Sequence, residues 1–179
     1  MMGMEADHDW ALHGPFLDKT LMRNYVAMNL AGELMDYAPD VRFCEVVING
    51  EYRGVYVMME TVSTGKGRIE IEKPNKTRNV TGYIVELYND TQPDPLSEAK
   101  NFTKYTQILR KNAFFDIRYP KNEALTLPLK DYIERDLSRF EKALYSFDYD
   151  TQRYGYKNFI DVDEFVDYFI LMEVFVQHD

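Results

Sequence analysis

Apolar and polar positions alternate most clearly over residues 42–60, RFCEVVINGEYRGVYVMME. Asn49-Gly50 divides this stretch into two runs rich in Val, Ile, Tyr and Phe. Asn and Gly tolerate the positive φ that a type I′ turn needs at both central positions, so the pattern predicts a β-hairpin. With Ile48 facing Glu51, one face carries Cys44, Val46, Ile48, Val55, Val57 and Met59 and is the core candidate. The other carries Phe43, Glu45, Val47, Tyr52, Gly54, Tyr56, Met58 and Glu60 and suits a cleft wall; a slip of one residue would exchange the two.

Around the hairpin the period changes. Asp18 reads as the N-cap of a helix over Lys19 to Met35, striped by Leu21, Met22, Tyr25, Met28 and Met35 and stopped before Pro39. Short strands are expected at Arg68 to Glu72, Gly82 to Tyr88 and Phe114 to Tyr119. In GYIVELY, Glu86 shares a face with Ile84 and Tyr88. Residues 89–113, with Pro93 and Pro95, read as a long excursion containing a short helix near 97–101. Thr126 and Pro128 open a helix in which Leu129, Ile133, Leu137, Phe140 and Leu144 recur at helical spacing. Its other face (Lys130, Asp131, Glu134, Arg135, Arg139, Lys142) reads as an ordinary solvated one. Asp161 and Glu164 form a capping-box pattern before a last helix that is apolar nearly all round in its second half. Such a helix is expected inside a larger fold, with more protein after Asp179. Strands followed by helices indicate an α+β domain, an antiparallel sheet built on the central hairpin plus C-terminal helices. Residues 1–125 make a mainly sheet-containing lobe and 126–179 a helical part of one incomplete domain, 1–179.

Composition removes classes of function without choosing one. Hydrophobic residues at 45% and charged residues at 28% of 179 describe a globular chain. A net charge of −9 opposes non-specific nucleic-acid binding and a polybasic membrane anchor. No apolar run is long enough to span a membrane, and the amino end lacks a signal-peptide core. Cys44 is the only cysteine, which excludes an intramolecular disulfide and a cysteine zinc site. His8 and His13, five apart without helical pattern, do not read as a metal pair. Ser63-Thr64-Gly65-Lys66-Gly67 is not a phosphate-binding loop, because Glu60 stands where the first glycine belongs and Gly67 where Ser or Thr belongs. Tyr (14) and Phe (11) are abundant, which suits a groove lining or a packed surface.

Three segments carry a resemblance. They are Asp9-Trp10-Ala11-Leu12 through Asp18-Lys19-Thr20-Leu21-Met22-Arg23-Asn24, the NGEYRGVYVMME hairpin, and Ile160 through Phe169 onward to Asp179. With GYIVELY and FFDIRYP between them in order, the chain resembles the spore coat protein H (CotH) kinase-like family over essentially its whole length. The resemblance implies an atypical protein-kinase-like fold that binds ATP and a divalent metal, Mg²⁺. It also implies transfer of phosphate to Ser or Thr of spore-coat or other surface proteins, and a surface, spore-coat or secreted location. Asp179 stands where the family's catalytic Asp would be. The family's Asn and Trp-Asp-x-Asp-like metal segment would lie beyond it, so residues 1–179 alone are expected to turn over no ATP.

Phosphoryl transfer is mostly positioning and charge neutralisation. Family members often read Ile-Lys-Tyr-Pro where this chain has Ile117-Arg118-Tyr119-Pro120, which makes Arg118 the candidate phosphate contact, with changed reach and geometry. Glu60 or Glu86 could hold that cation; each reads also as a solvated strand edge, and Arg118 as a plain surface charge. A competing reading is a non-catalytic surface module that binds protein or glycan through the Tyr-rich sheet face. A metal-dependent hydrolase is disfavoured by the lack of any His-rich or His/carboxylate cluster.

Overall fold

The structure is a computed structural model and describes residues 2–88, 94–106, 114–121 and 123–175. The chain forms two compact units, one of residues 1–70 with 161–179 and one of residues 71–160. Helices and antiparallel strands occur in both, so the fold is α+β as expected.

The first unit contains β1 (Trp10–His13), α1 (Arg23–Leu34), β2 (Val41–Ile48), β3 (Glu51–Glu60) and α4 (Val162–Phe175), numbered along the whole chain. Its sheet has the order β1-β3-β2, all antiparallel. Asn49 (φ 52°) and Gly50 (φ 82°) make the turn, and Ile48 faces Glu51 as the sequence predicts.

Beyond the turn the predicted faces need correction. The register shifts between Val46 and Val47, so that Val47 faces Tyr52 and Val46 faces Gly54, with Arg53 as the extra residue. A bulge of this kind re-aims every side chain beyond it. Phe43 and Glu45 therefore share a face with Val57 and Val55, while Cys44 shares one with Tyr56. Tyr52 and Tyr56 fall on opposite faces, and the expected Tyr-rich wall is divided. Tyr25 of α1 stacks on Phe43 at 4.4 Å between ring centroids, covering the face that buries Val41 and Val57.

α1 begins four residues later than predicted. Leu21 adopts φ 60°, which closes a turn rather than a helix. The N-cap is Met22 and not Asp18, but from outside that turn the Asp18 carboxylate still satisfies a first-turn donor, accepting the Arg23 N–H at 2.8 Å and the Thr20 N–H at 3.0 Å. Asp161 acts as predicted, accepting the Asp163 N–H at 3.0 Å. Glu164 does not complete the box; its carboxylate accepts the Asp36 N–H at 2.9 Å and ties α4 to the segment after α1. α4 buries Leu171, while Phe165, Val166, Phe169, Ile170 and Val174 remain exposed, so the enclosed last helix of the sequence reading is packed on one side.

The second unit contains β4 (Ile84–Tyr88), β5 (Glu98–Ala99), α2 (Phe102–Thr106), β6 (Phe114–Tyr119), α3 (Leu127–Leu144) and a 3-10 turn at Tyr156–Asn158. The sheet order is β4-β6-β5. α3 lays Ile133 and Leu137 against Ala99 and Ile117, with Tyr83, Val85 and Phe115 around them. Two further expectations are corrected, the first of them at the end of the first unit's 1–70 segment. Residues 68–72 form no strand, only an isolated Thr64–Ile69 bridge, because Gly65 and Gly67 at positive φ turn the chain and Arg68 is drawn inward. The helix expected near 97–101 is instead the short strand β5, and the helical turn follows it. Glu141 of α3 fixes that turn by accepting the Thr103 N–H at 3.0 Å and the Asn101 amide at 2.6 Å.

Candidate functional site

The four residues singled out for phosphoryl-transfer chemistry have different fates. Asp179 lies outside the described residues. Glu86 and Arg118 meet in the second unit. Glu60 belongs to the first unit and has a cation of its own.

Glu86 on β4 and Asp116 on β6 are directly paired, and Asp116 is also paired with Glu98 on β5. Paired residues share a face, so three carboxylates stand in one row across the sheet. The register shifts between Ile84 and Val85, which face Tyr119 and Ile117, so Arg118 is the extra residue of β6. Its guanidinium bonds to the Glu86 carboxylate and lies 3.2 Å from Asp116 Oδ2. Lys104 neutralises the far end, paired with Glu98 and 4.3 Å from the Phe114 ring centroid; burial lowers its pKa. The Asp116 side chain is almost wholly buried, and its Oδ1 has no hydrogen-bond partner among the described residues. Among the described residues the row sets three carboxylates against two cations. Arg118 is thus held in place from two sides, half-exposed.

Glu60 has left the surface entirely, at 6% exposure. Its partner is Arg68, whose Nη1 lies 2.7 Å from Glu60 Oε2, and the carboxylate also accepts the Asp40 N–H at 3.1 Å. Arg68 Nε reaches Asp7 at 3.2 Å, and the guanidinium lies 4.8 Å from the Trp10 ring centroid. N–H groups of Asp9 and His8, followed by Arg68, hold the Asp7 carboxyl below its ordinary pKa. Tyr37 beside the pair is pushed above the ordinary phenol value by burial first and by the Glu60 charge second. A buried guanidinium therefore clamps the amino-terminal segment to the end of β3.

The first unit also has a hollow of about 540 Å³ at the start of α1, whose walls include His13, Phe16, Asp18, Met28 and Phe175. Asp18 there is held to a pKa of about 2, chiefly by the Arg23 N–H and then by Thr20.

Sequence reasoning paired Arg118 with a glutamate but missed Asp116, Glu98, Lys104 and Arg68. Asp116 was readable only as a near neighbour, two positions from Arg118 in one strand, because the irregularity at Arg118 interrupts the alternation. Glu98 was not, because a two-residue strand has no period. Among the described residues, no group of three His, Cys, Asp or Glu side chains could hold a metal ion. All three of the row's carboxylates already pair with cations, Glu98 with Lys104 and Glu86 and Asp116 with Arg118.

Glu86 and Asp116 flank the Arg118 cation, which disfavours a bare polyanion beside it. Among the described residues no helix is long and apolar enough to cross a membrane. Comparison with known proteins adds one finding: the model of the family described as CotH kinase protein matches residues 1–179. No curated protein and no solved structure matches. On that whole-length match, the chain belongs to the CotH kinase protein family.

Proposed function

We propose that this protein uses ATP as a phosphoryl donor toward Ser or Thr hydroxyls of a protein acceptor, a spore-coat or other surface protein. The observation that carries the reading is Arg118, a cation with Glu86 bonded to it and Asp116 behind it. A guanidinium held by carboxylates keeps a set orientation, and its planar fork matches the geometry of phosphate oxygens. Asp179 would orient the attacking hydroxyl, and transfer would follow from positioning and charge neutralisation rather than from covalent catalysis. Glu60, committed to Arg68, contributes by holding the end of the hairpin.

The row's carboxylates set the form of the nucleotide. ATP carrying Mg²⁺ offers less charge to Glu86 and Asp116 than the free anion does, so MgATP is the expected ligand. A titration with a fluorescent ATP analogue tests this. Competition by MgATP, weaker competition by AMP, and little binding in excess chelator support the reading. Absence of any nucleotide binding would turn the assignment to the non-catalytic surface module, whose docking face could no longer be one Tyr-rich wall, because the bulge separates Tyr52 from Tyr56.

A further inference from the structure

The sequence assigns the polar side of α3 to solvent, yet the structure forms a hollow of about 640 Å³ there. Lys100, Arg135, Arg139 and Lys142 line it, with Asp131 and Glu134 toward the amino end of the helix. Arg135, Arg139 and Lys142 follow the i, i+4, i+7 spacing and so form one stripe. Lys100 comes from the segment between β5 and α2. Among the described residues none of Lys100, Arg135 and Lys142 has a carboxylate within salt-bridge distance, and Arg139 has only Asp136 at 3.9 Å.

The neighbours of these cationic heads are a carbonyl and two aromatic rings, none of which carries a neutralising charge. Arg135 Nε donates to the Asp131 carbonyl at 3.1 Å, and Lys142 and Arg139 lean over the Phe102 and Phe159 rings. The Glu134 carboxylate is occupied by the Lys100 N–H at 3.0 Å. The carboxyl-terminal half of the hollow therefore concentrates positive charge that, among the described residues, a carboxylate meets only at Arg139, on a chain whose net charge is −9. From Arg135 to Lys142 the stripe runs about 10 Å at 1.5 Å per residue. About three residues of extended chain cover that length, whereas a single phosphate would meet only part of it.

We infer that this groove on α3 is a docking site for an acidic, extended polypeptide segment of a partner protein. The inference does not rest on phosphoryl transfer, because none of its residues belongs to the Arg118 row. Fluorescence anisotropy with a labelled oligoglutamate peptide at low salt tests it on the full chain. The expected result is saturable binding that weakens as salt rises and falls at least about tenfold when Arg135, Arg139 and Lys142 are all changed to Ala, since each loses a charge-assisted contact. A charge-matched control, Lys19→Ala with Lys66→Ala and Lys73→Ala, removes the same charge from exposed positions outside the hollow and is expected to change binding little. Circular dichroism checks that both variants are folded. No saturable binding, or equal losses in the two variants, would overturn the inference. Displacement of the peptide by equimolar inorganic phosphate would also overturn it, in favour of a site for one small anion.

Discussion

Arg68 and Arg118 are both arginines paired with glutamate, yet burial gives them opposite physical roles. The Arg68 side chain is 1% exposed and its partner Glu60 is 3% exposed, whereas Arg118 and Glu86 are each 48% exposed. Removing one member of a buried pair strands the other charge away from water, at a cost of about 3–5 kcal/mol. An exposed pair contributes about 1 kcal/mol or less. Urea denaturation should therefore show Arg68→Ala strongly destabilised and Glu86→Gln, which leaves Arg118 still paired with buried Asp116, nearly unchanged; comparable losses would refute the division into buried clamp and exposed pair. Asp18 gives a second test. Its folded pKa of about 2 lies below its ordinary value of 3.8, so its contribution to stability is present above 3.8 and lost as pH falls through 2. Asp18→Asn should be less stable near neutrality and lose less stability over that acid interval; an unchanged acid profile would contradict its hold on the first-turn donor. The sequence announced Asp18 by its helix-start pattern, but not Arg68. Its burial depends on Asp7, Trp10 and Tyr37 arriving from distant positions, and no local period encodes that.

At the scale of elements, periodicity served where a side chain's environment is set by its own strand or helix. β6 and α3 match their predicted extents closely, because Leu129, Ile133 and Leu137 repeat at helical spacing and all become buried. The hairpin turn was legible for a similarly local reason, the Asn-Gly pair. The bulge was not: it inserts Arg53 without a change in the apolar pattern. Gly54, at φ 105°, is the one sign of it in the sequence. That conformation is strained for any residue with a Cβ, so Gly54→Ala should destabilise by more than about 1 kcal/mol although the added methyl meets no neighbour. Thermal unfolding at matched pH measures this. A neutral substitution would mean that β3 relaxes to the unbulged register, and amide exchange across Val46 and Val47 would then change as well.

On the scale of the whole molecule, a charge of −9 and a ligand as anionic as ATP appear mismatched. Screening resolves this: charges more than about 8 Å apart are largely masked at physiological ionic strength, so the local row decides. The family was legible because its segments span the chain in order, while the carboxylate row emerges only when β4, β5 and β6 align. The central claim is that Arg118, fixed by Glu86 and Asp116, receives the nucleotide's phosphates. Calorimetry with ATP and Mg²⁺ on the wild-type chain, Arg118→Lys and Arg118→Ala tests it most directly. The account predicts saturable binding, kept in the Lys variant and weakened at least about tenfold in the Ala variant, the scale of one charge-assisted contact. Equal binding by all three proteins, or none by the wild type, would contradict it.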